Sequence, residues 1–264
     1  MQMLLHEKVV MVVGAGPGLG RRLACRCAEE GADLVVAART AATLEETAAE
    51  VRSLGRRALS APTDISKPLE ARALADRAIA EFGRVDVLVN AAFPVSHRRN
   101  VLDMDEEYLE FWRQCVEVAA FGTLLACRYV APHMVDAGSG SIVNITSMSS
   151  RICYAGRSDY GAGKGAAHKV GQALADELGP FGVRVNAVAP GFIWSDAVRD
   201  WMESVAAKES IAYEDVLART VSDMALRKIA TEDDVADAVL YLASDRASAI
   251  TGTTIDVNAG QLLQ

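Results

Sequence analysis

Short apolar runs alternate along this chain with longer stretches in which apolar positions recur every three or four residues. Val9–Val13, Leu34–Ala37, Val85–Val89, Ser141–Ile145, Val183–Val188 and Thr254–Val257 read as strands, with a weaker one at Ala58–Ala61. The alanine-rich, amphipathic stretches 19–30, 42–54, 68–82, 106–136, 159–179 and 232–243 read as helices. Nearly continuous apolar strands are buried on both faces, and strand–helix alternation joins parallel neighbours. The predicted architecture is α/β: one doubly wound parallel sheet of about seven strands with helices on both faces. With no linker, repeat or composition break, residues 1–264 read as one domain.

One stretch departs from this rhythm. Phe192–Arg227 follows a strand and holds Trp194, Trp201, Met202, Tyr213 and Met224 among charged residues. Doubly wound sheets bind ligands beyond the carboxyl ends of their strands, so the excursion at about 192–227 is expected to be a substrate lid.

Composition narrows the partners. The 264 residues are 51% hydrophobic and 23% charged, enough to bury a large core, and the formal charge is −8 with no basic stripe. Nucleic acid is therefore not an expected partner. The beginning of the sequence has no basic segment followed by a long apolar one, and the longest apolar runs are strand-length, so a cytoplasmic protein without a membrane span is expected. Five cysteines show no repeated zinc-like spacing, and Cys25 and Cys27, two apart on a helix, point to different faces. No metal site is expected.

Two local patterns carry chemistry. Val13-Gly14-Ala15-Gly16-Pro17-Gly18-Leu19-Gly20 runs from a strand into a helix. Gly14 allows a tight turn, Gly18 a close approach to a pyrophosphate, and Gly20 close helix packing. The helix amino terminus then presents N–H groups and a positive dipole end to phosphate. Further along, Tyr160-Gly161-Ala162-Gly163-Lys164 puts a phenol and an ammonium on one helix face, thirteen residues after Ser147 at a strand end. A phenol is a poor base at neutral pH unless a nearby positive charge favours the phenolate.

The Gly14-x-x-x-Gly18-x-Gly20 turn, Tyr160-x-x-x-Lys164 and Ser147 together resemble the short-chain dehydrogenase/reductase family, a Rossmann-type fold. The resemblance runs along almost the whole chain. Thr63-Asp64-Ile65, Asn90-Ala91-Ala92, Asn186-Ala187-Val188-Ala189-Pro190-Gly191 and Asp256-Val257-Asn258-Ala259-Gly260 all match family segments in order. It implies that Ser147, Tyr160 and Lys164 are catalytic. Tyr160 would exchange the proton, Lys164 would lower its pKa and hold the nicotinamide ribose, and Ser147 would orient the substrate oxygen. It further implies that a nicotinamide dinucleotide meets Gly14, Gly16, Gly18, Leu19, Gly20, Arg39, Asp64, Ile65, Asn90, Tyr160, Lys164, Pro190, Gly191, Ile193 and Ser195. Departures are Val13 for a threonine, Ala91 for the second asparagine of Asn-Asn-Ala-Gly, Phe93 for its glycine, and Ser195 for a threonine. Ala119 stands where the family has a helix asparagine that holds a water next to the lysine. Gln114 and Glu117 lie nearby without the spacing to replace it.

An acidic residue at the end of the second strand would favour NAD. Here Ala38 is followed by Arg39, so NADP(H) is expected over NAD(H). Candidate pocket residues are Phe93, Ser149, Cys153, Tyr154, Phe192, Trp194 and Trp201. This apolar and aromatic set predicts a bulky hydrophobic or cyclic ketone or alcohol rather than a small charged acid. His97, Arg98 and Arg99 follow the fourth strand and read as a solvated loop, with contact to a polar group as the alternative. The alternatives are a 3-oxoacyl-thioester reductase, an epimerase or dehydratase, or a dinucleotide-binding regulatory protein with weakened catalysis. The resemblance also implies a dimer or tetramer joined through helices 106–136 and 159–179.

Overall fold

The computed structural model describes residues 3–94 and 97–263. Seven strands form one parallel sheet: β1 Val9–Val13, β2 Asp33–Ala38, β3 Ala58–Pro62, β4 Val87–Asn90, β5 Gly140–Ile145, β6 Val183–Pro190 and β7 Thr254–Val257. Their spatial order is β3-β2-β1-β4-β5-β6-β7. The order reverses between β1 and β4, where the two crossovers leave in opposite directions and open a crevice at the carboxyl ends.

Period-two alternation divides each central strand between two cores. Val10, Val12, Leu34, Val36, Val87, Val89 and Val143 pack beneath α1 (Leu19–Glu29), α2 (Ala41–Ser53) and α9 (Glu232–Ala243). Met11, Val13, Val35, Leu88 and Ile142 face α3 (Pro68–Phe82), α5 (Gly122–Asp136) and α6 (Ser158–Leu178). Both sets are removed from water, which is why β1 shows no polar alternation.

Two expectations need correction. The predicted helix 106–136 is interrupted: α4 (Glu106–Val116) passes through one π turn at Glu117–Phe121 before α5 begins. The run as a whole, Glu106–Asp136, is also long and apolar enough by length and composition to cross a bilayer, contrary to the expectation of strand-length runs only. Half of its most apolar window is packed inside the protein, with α4 against α6 and α5 against α3, as in a core helix.

The excursion after β6 folds into α7 (Asp196–Glu209) and α8 (Tyr213–Val221) around a small core of its own, Met202, Val216, Met224 and Ile229. A bridge from Ile193 to Ala230 ties its two ends together beside the sheet.

Candidate active site

At the carboxyl end of β1 the chain must turn within van der Waals contact of β4. Gly14 lies at φ 96°, and a methyl group there would overlap the Ala91–Ala92 backbone. A methyl on Gly20 would overlap the Gly14 carbonyl, so the first turn of α1 rests directly on the glycine loop. Gly18, at φ 82°, precedes α1, and no side chain caps that helix end. A side chain at Gly16 would meet nothing within 4 Å. Gly16 and Leu19 instead border a cleft of about 420 Å³ that extends past Arg39, Asp64 and Ile65 to Phe93.

Within this cleft Asp64 is an ionised acceptor. Burial opposes its charge, but the Ser66 hydroxyl (2.6 Å) and amide (3.0 Å), with Lys67 and Arg39 nearby, hold its carboxyl below the ordinary value. Ala38 and the exposed Arg39 line the same cleft at the end of β2. Asn90 does not face it. Its side chain is buried between strands, donating to Asn144 Oδ1 at 2.9 Å, and the Ala91–Ala92 backbone forms the cleft wall. The geometric reason is that a β4 side chain beneath the crevice points into the helix layer, whereas the residues past the strand end turn over the top. Ile193 packs against the α1/α2/α9 core, and Ser195 caps α7 by accepting from Val198 N. Neither borders the cleft.

Ser147, Tyr160 and Lys164 converge where β5 gives way to α6. Ser147 is buried; its hydroxyl accepts from Ser149 N at 3.1 Å and donates to the Pro190 carbonyl over a long 3.5 Å. Tyr160 is half-buried and its phenol bonds to Ser147. Phe93 stacks edge-on against the Tyr160 ring at 4.8 Å. Burial raises the phenol's pKa, while the Ser147 bond and the Arg157 charge oppose that rise. Arg157 thus supplies the cationic influence on the phenol that sequence spacing assigned to Lys164; its guanidinium lies 4.5 Å from the ring centroid. Lys164 is fully enclosed, donates to the Ile145 carbonyl at 2.7 Å, and is pushed down to about 8 by burial.

Next to these groups lies a second cavity of about 720 Å³. Of the expected pocket residues, Ser149, Tyr154, Phe192 and Trp201 border it, together with Ser147 and Tyr160. Phe192 and Trp201 meet edge-on at 5.6 Å, closing the side formed by α7. The other three lie elsewhere: Phe93 borders the glycine-lined cleft, exposed Cys153 borders a neighbouring cavity, and Trp194 borders none of these. His97, Arg98, Arg157 and Gln261 border the second cavity as well; the sequence favoured a solvated loop for the first two and singled out neither Arg157 nor Gln261. For Arg98 and His97 the sequence signal was the loop position after β4; Arg157 had none beyond its place one turn before Tyr160.

A family model described as Enoyl-(Acyl carrier protein) reductase matches residues 14–261. The Short-chain reductase protein NovJ of Streptomyces niveus is 34% identical over 97% of this chain and 94% of its own. The chain belongs to the short-chain dehydrogenase/reductase family. Two further relatives are 33% identical. One is the 1,6-dihydroxycyclohexa-2,4-diene-1-carboxylate dehydrogenase of Acinetobacter baylyi, aligned over 97% of this chain and 96% of that protein. The other is the cis-4-hydroxycyclohexanecarboxylate dehydrogenase of Sinomonas cyclohexanicum, aligned over 96% of each. Among solved structures, carveol dehydrogenase from Mycobacterium avium in complex with NAD superimposes with a TM-score of 0.89 at 28% identity over 99% of both chains.

Against this short-chain dehydrogenase/reductase background, Ala119 is the informative departure. It sits in the π turn, buried, with its Cβ facing Gly163 on α6, one residue before Lys164. The Ala119 side chain offers no polar atom, and its carbonyl accepts the Thr123 hydroxyl at 2.7 Å.

Proposed function

We propose that the protein is an NADP(H)-linked oxidoreductase interconverting a secondary alcohol and a ketone on a cyclic or bulky apolar substrate. The observation that carries this reading is the position of Ser147, Tyr160 and Lys164 between a glycine-lined cleft and a largely apolar cavity. The residues of the cleft fit a dinucleotide: Gly14 and Gly20 leave no room for side chains, Gly16 opens onto the cleft, and Asp64 offers an acceptor at its far end. Ala38 presents no carboxylate at the end of β2, and Arg39 can pair with a phosphate there. The M. avium relative holds NAD, so nicotinamide dinucleotides as a class fit the fold, and the preference for NADP rests on Ala38 and Arg39.

When bound, the nicotinamide donates or accepts the hydride. The chain's own residues handle the proton and the alignment. In the reducing direction Tyr160, kept protonated at neutral pH by burial, donates its proton to the carbonyl oxygen. In the oxidising direction the phenolate accepts the alcohol proton, so that rate rises with pH. The long bond from Ser147 to the Pro190 carbonyl costs little to redirect toward a substrate oxygen. The Lys164 ammonium lies 5.0 Å from the centroid of Phe93, a residue of the cleft wall, and would hold the ribose. Two relatives are named for ring alcohols, which supports a cyclic substrate. The exposed apolar Phe121 and Leu124 on the α4–α5 run support a dimer or tetramer joined through that run and α6.

Following nicotinamide absorbance against cyclic, steroid-like and acyl-thioester ketones tests this reading. Turnover of ring ketones with NADPH is expected. A preference for acyl thioesters would move the protein to the alternative reductase, and dinucleotide binding without turnover of any ketone would make it a binding protein.

A further inference from the structure

The cavity beside Tyr160 is charged in one sense only. Arg98, Arg157 and His97 border it, and no aspartate or glutamate does among the described residues. This stands out on a chain whose formal charge is −8. The rest of the wall is apolar or neutral, with Met148, Phe192, Val198 and Trp201 opposite the polar groups Ser149, Tyr154 and Gln261.

The two arginines come from different parts of the fold. Arg98 follows β4 on an exposed loop. Arg157 is the residue immediately before α6, fixed by its amide donating to the Tyr154 carbonyl at 3.1 Å. Arg157 lies against the Tyr160 ring, so its charge sits within one ring's width of the reacting hydroxyl. Arg98 influences the Tyr154 phenol on the same wall. An apolar chamber with guanidinium groups at one side and a proton donor at its floor matches a molecule with an apolar ring, an oxidisable carbon and an anionic group. Guanidinium pairs with carboxylate bidentately, and low-dielectric walls strengthen that attraction.

We propose that the substrate carries a carboxylate on its ring, held by Arg98 and Arg157 while the ring's carbonyl or carbinol carbon faces Tyr160. The proposal rests on the oxidoreductase reading and refines the sequence-based expectation of a cyclic substrate rather than a small charged acid. The sequence favoured a solvated place for Arg98 and gave Arg157 no role.

The test compares 4-oxocyclohexanecarboxylate with its methyl ester at saturating NADPH, and reads the ratio of their kcat/KM values. The expected ratio favours the carboxylate by about tenfold or more, mainly through KM, as for a charge-assisted pair. In Arg98→Gln and Arg157→Gln that ratio should collapse toward one, and Arg157→Lys should restore part of it. Arg98 is exposed, so its substitution leaves folding intact. A wild-type ratio near one, or a ratio unmoved by either glutamine variant, would overturn the proposal.

Binding of cyclohexanecarboxylate to Tyr160→Phe, followed by isothermal titration calorimetry, separates the two readings. Binding weakened by Arg98→Gln, without turnover of any ketone by the wild type, would leave the anion site standing and the oxidoreductase reading overturned. Turnover of the ester and the acid at equal rates would overturn the anion site alone.

Discussion

At the scale of single residues, Lys164 shows how function and stability compete. Its ammonium is enclosed with the Ile145 carbonyl as acceptor and titrates near 8 instead of its ordinary 10.5. Between those two pH values the unfolded chain holds a proton that the folded chain has released, so folding stability from this group rises with pH. Below about 8 the full cost of burying the charge is present, on the order of 3 kcal/mol. Lys164→Met should therefore gain melting temperature relative to the wild type at pH 7, with the gain shrinking as pH rises from 8 to 10.5. Thermal melts across that range check it, and a gain independent of pH would contradict it. Ala38 bears on the cofactor: Ala38→Asp should weaken NADP binding by about tenfold or more while sparing NAD, because a carboxylate repels the 2′-phosphate. Titration with each dinucleotide measures the shift. Tyr160, Lys164 and Ser147 were legible in the sequence because their chemistry is written in spacing along one helix and one strand end. Arg157 was not, because its influence acts through space on the Tyr160 ring.

The elements tell a similar story. Strand positions were legible because continuous apolar runs have no other soluble home than a buried sheet. The π turn at Glu117–Phe121 was not, since one widened turn leaves the apolar periodicity of α4 and α5 nearly unchanged. The excursion after β6 was legible as a break in the strand–helix alternation. Its internal core of Met202, Val216, Met224 and Ile229 was hidden among charged residues, and only the fold brings those four together. Trp201 belongs to this unit but is 46% exposed, bordering the cavity beside Tyr160 together with Phe192. Trp201→Ala should therefore raise KM for ring ketones by about tenfold, with dinucleotide affinity and melting temperature nearly unchanged. Steady-state kinetics with a dinucleotide titration check this. A large loss of melting temperature would mean that Trp201 holds the lid together instead of facing substrate.

At the scale of the whole molecule, one sheet borders two cavities. The reversal of strand order between β1 and β4 opens the glycine-lined cleft, while β5 and β6 carry Ser147 and Pro190–Gly191 to the same edge. Short segments far apart in sequence thus share one rim, and this long-range assembly was the least legible part. Asn90 followed a family motif yet turns inward, and Arg98 joins the cavity from a loop that looked merely solvated. On a chain with a formal charge of −8, a cavity lined by Arg98 and Arg157 is expected under the proposed reading to draw anions in preference to the rest of the surface. Tyr160 stands at the junction of both ligand spaces, and proton transfer there is the central claim. Tyr160→Phe removes one oxygen and leaves the ring packed on Phe93 and Arg157. The measurement is kcat for ring-ketone reduction by this variant, alongside its dinucleotide dissociation constant. The account predicts a fall in kcat of about a thousandfold with dinucleotide affinity retained. A variant turning over within a factor of about ten of the wild type would contradict it.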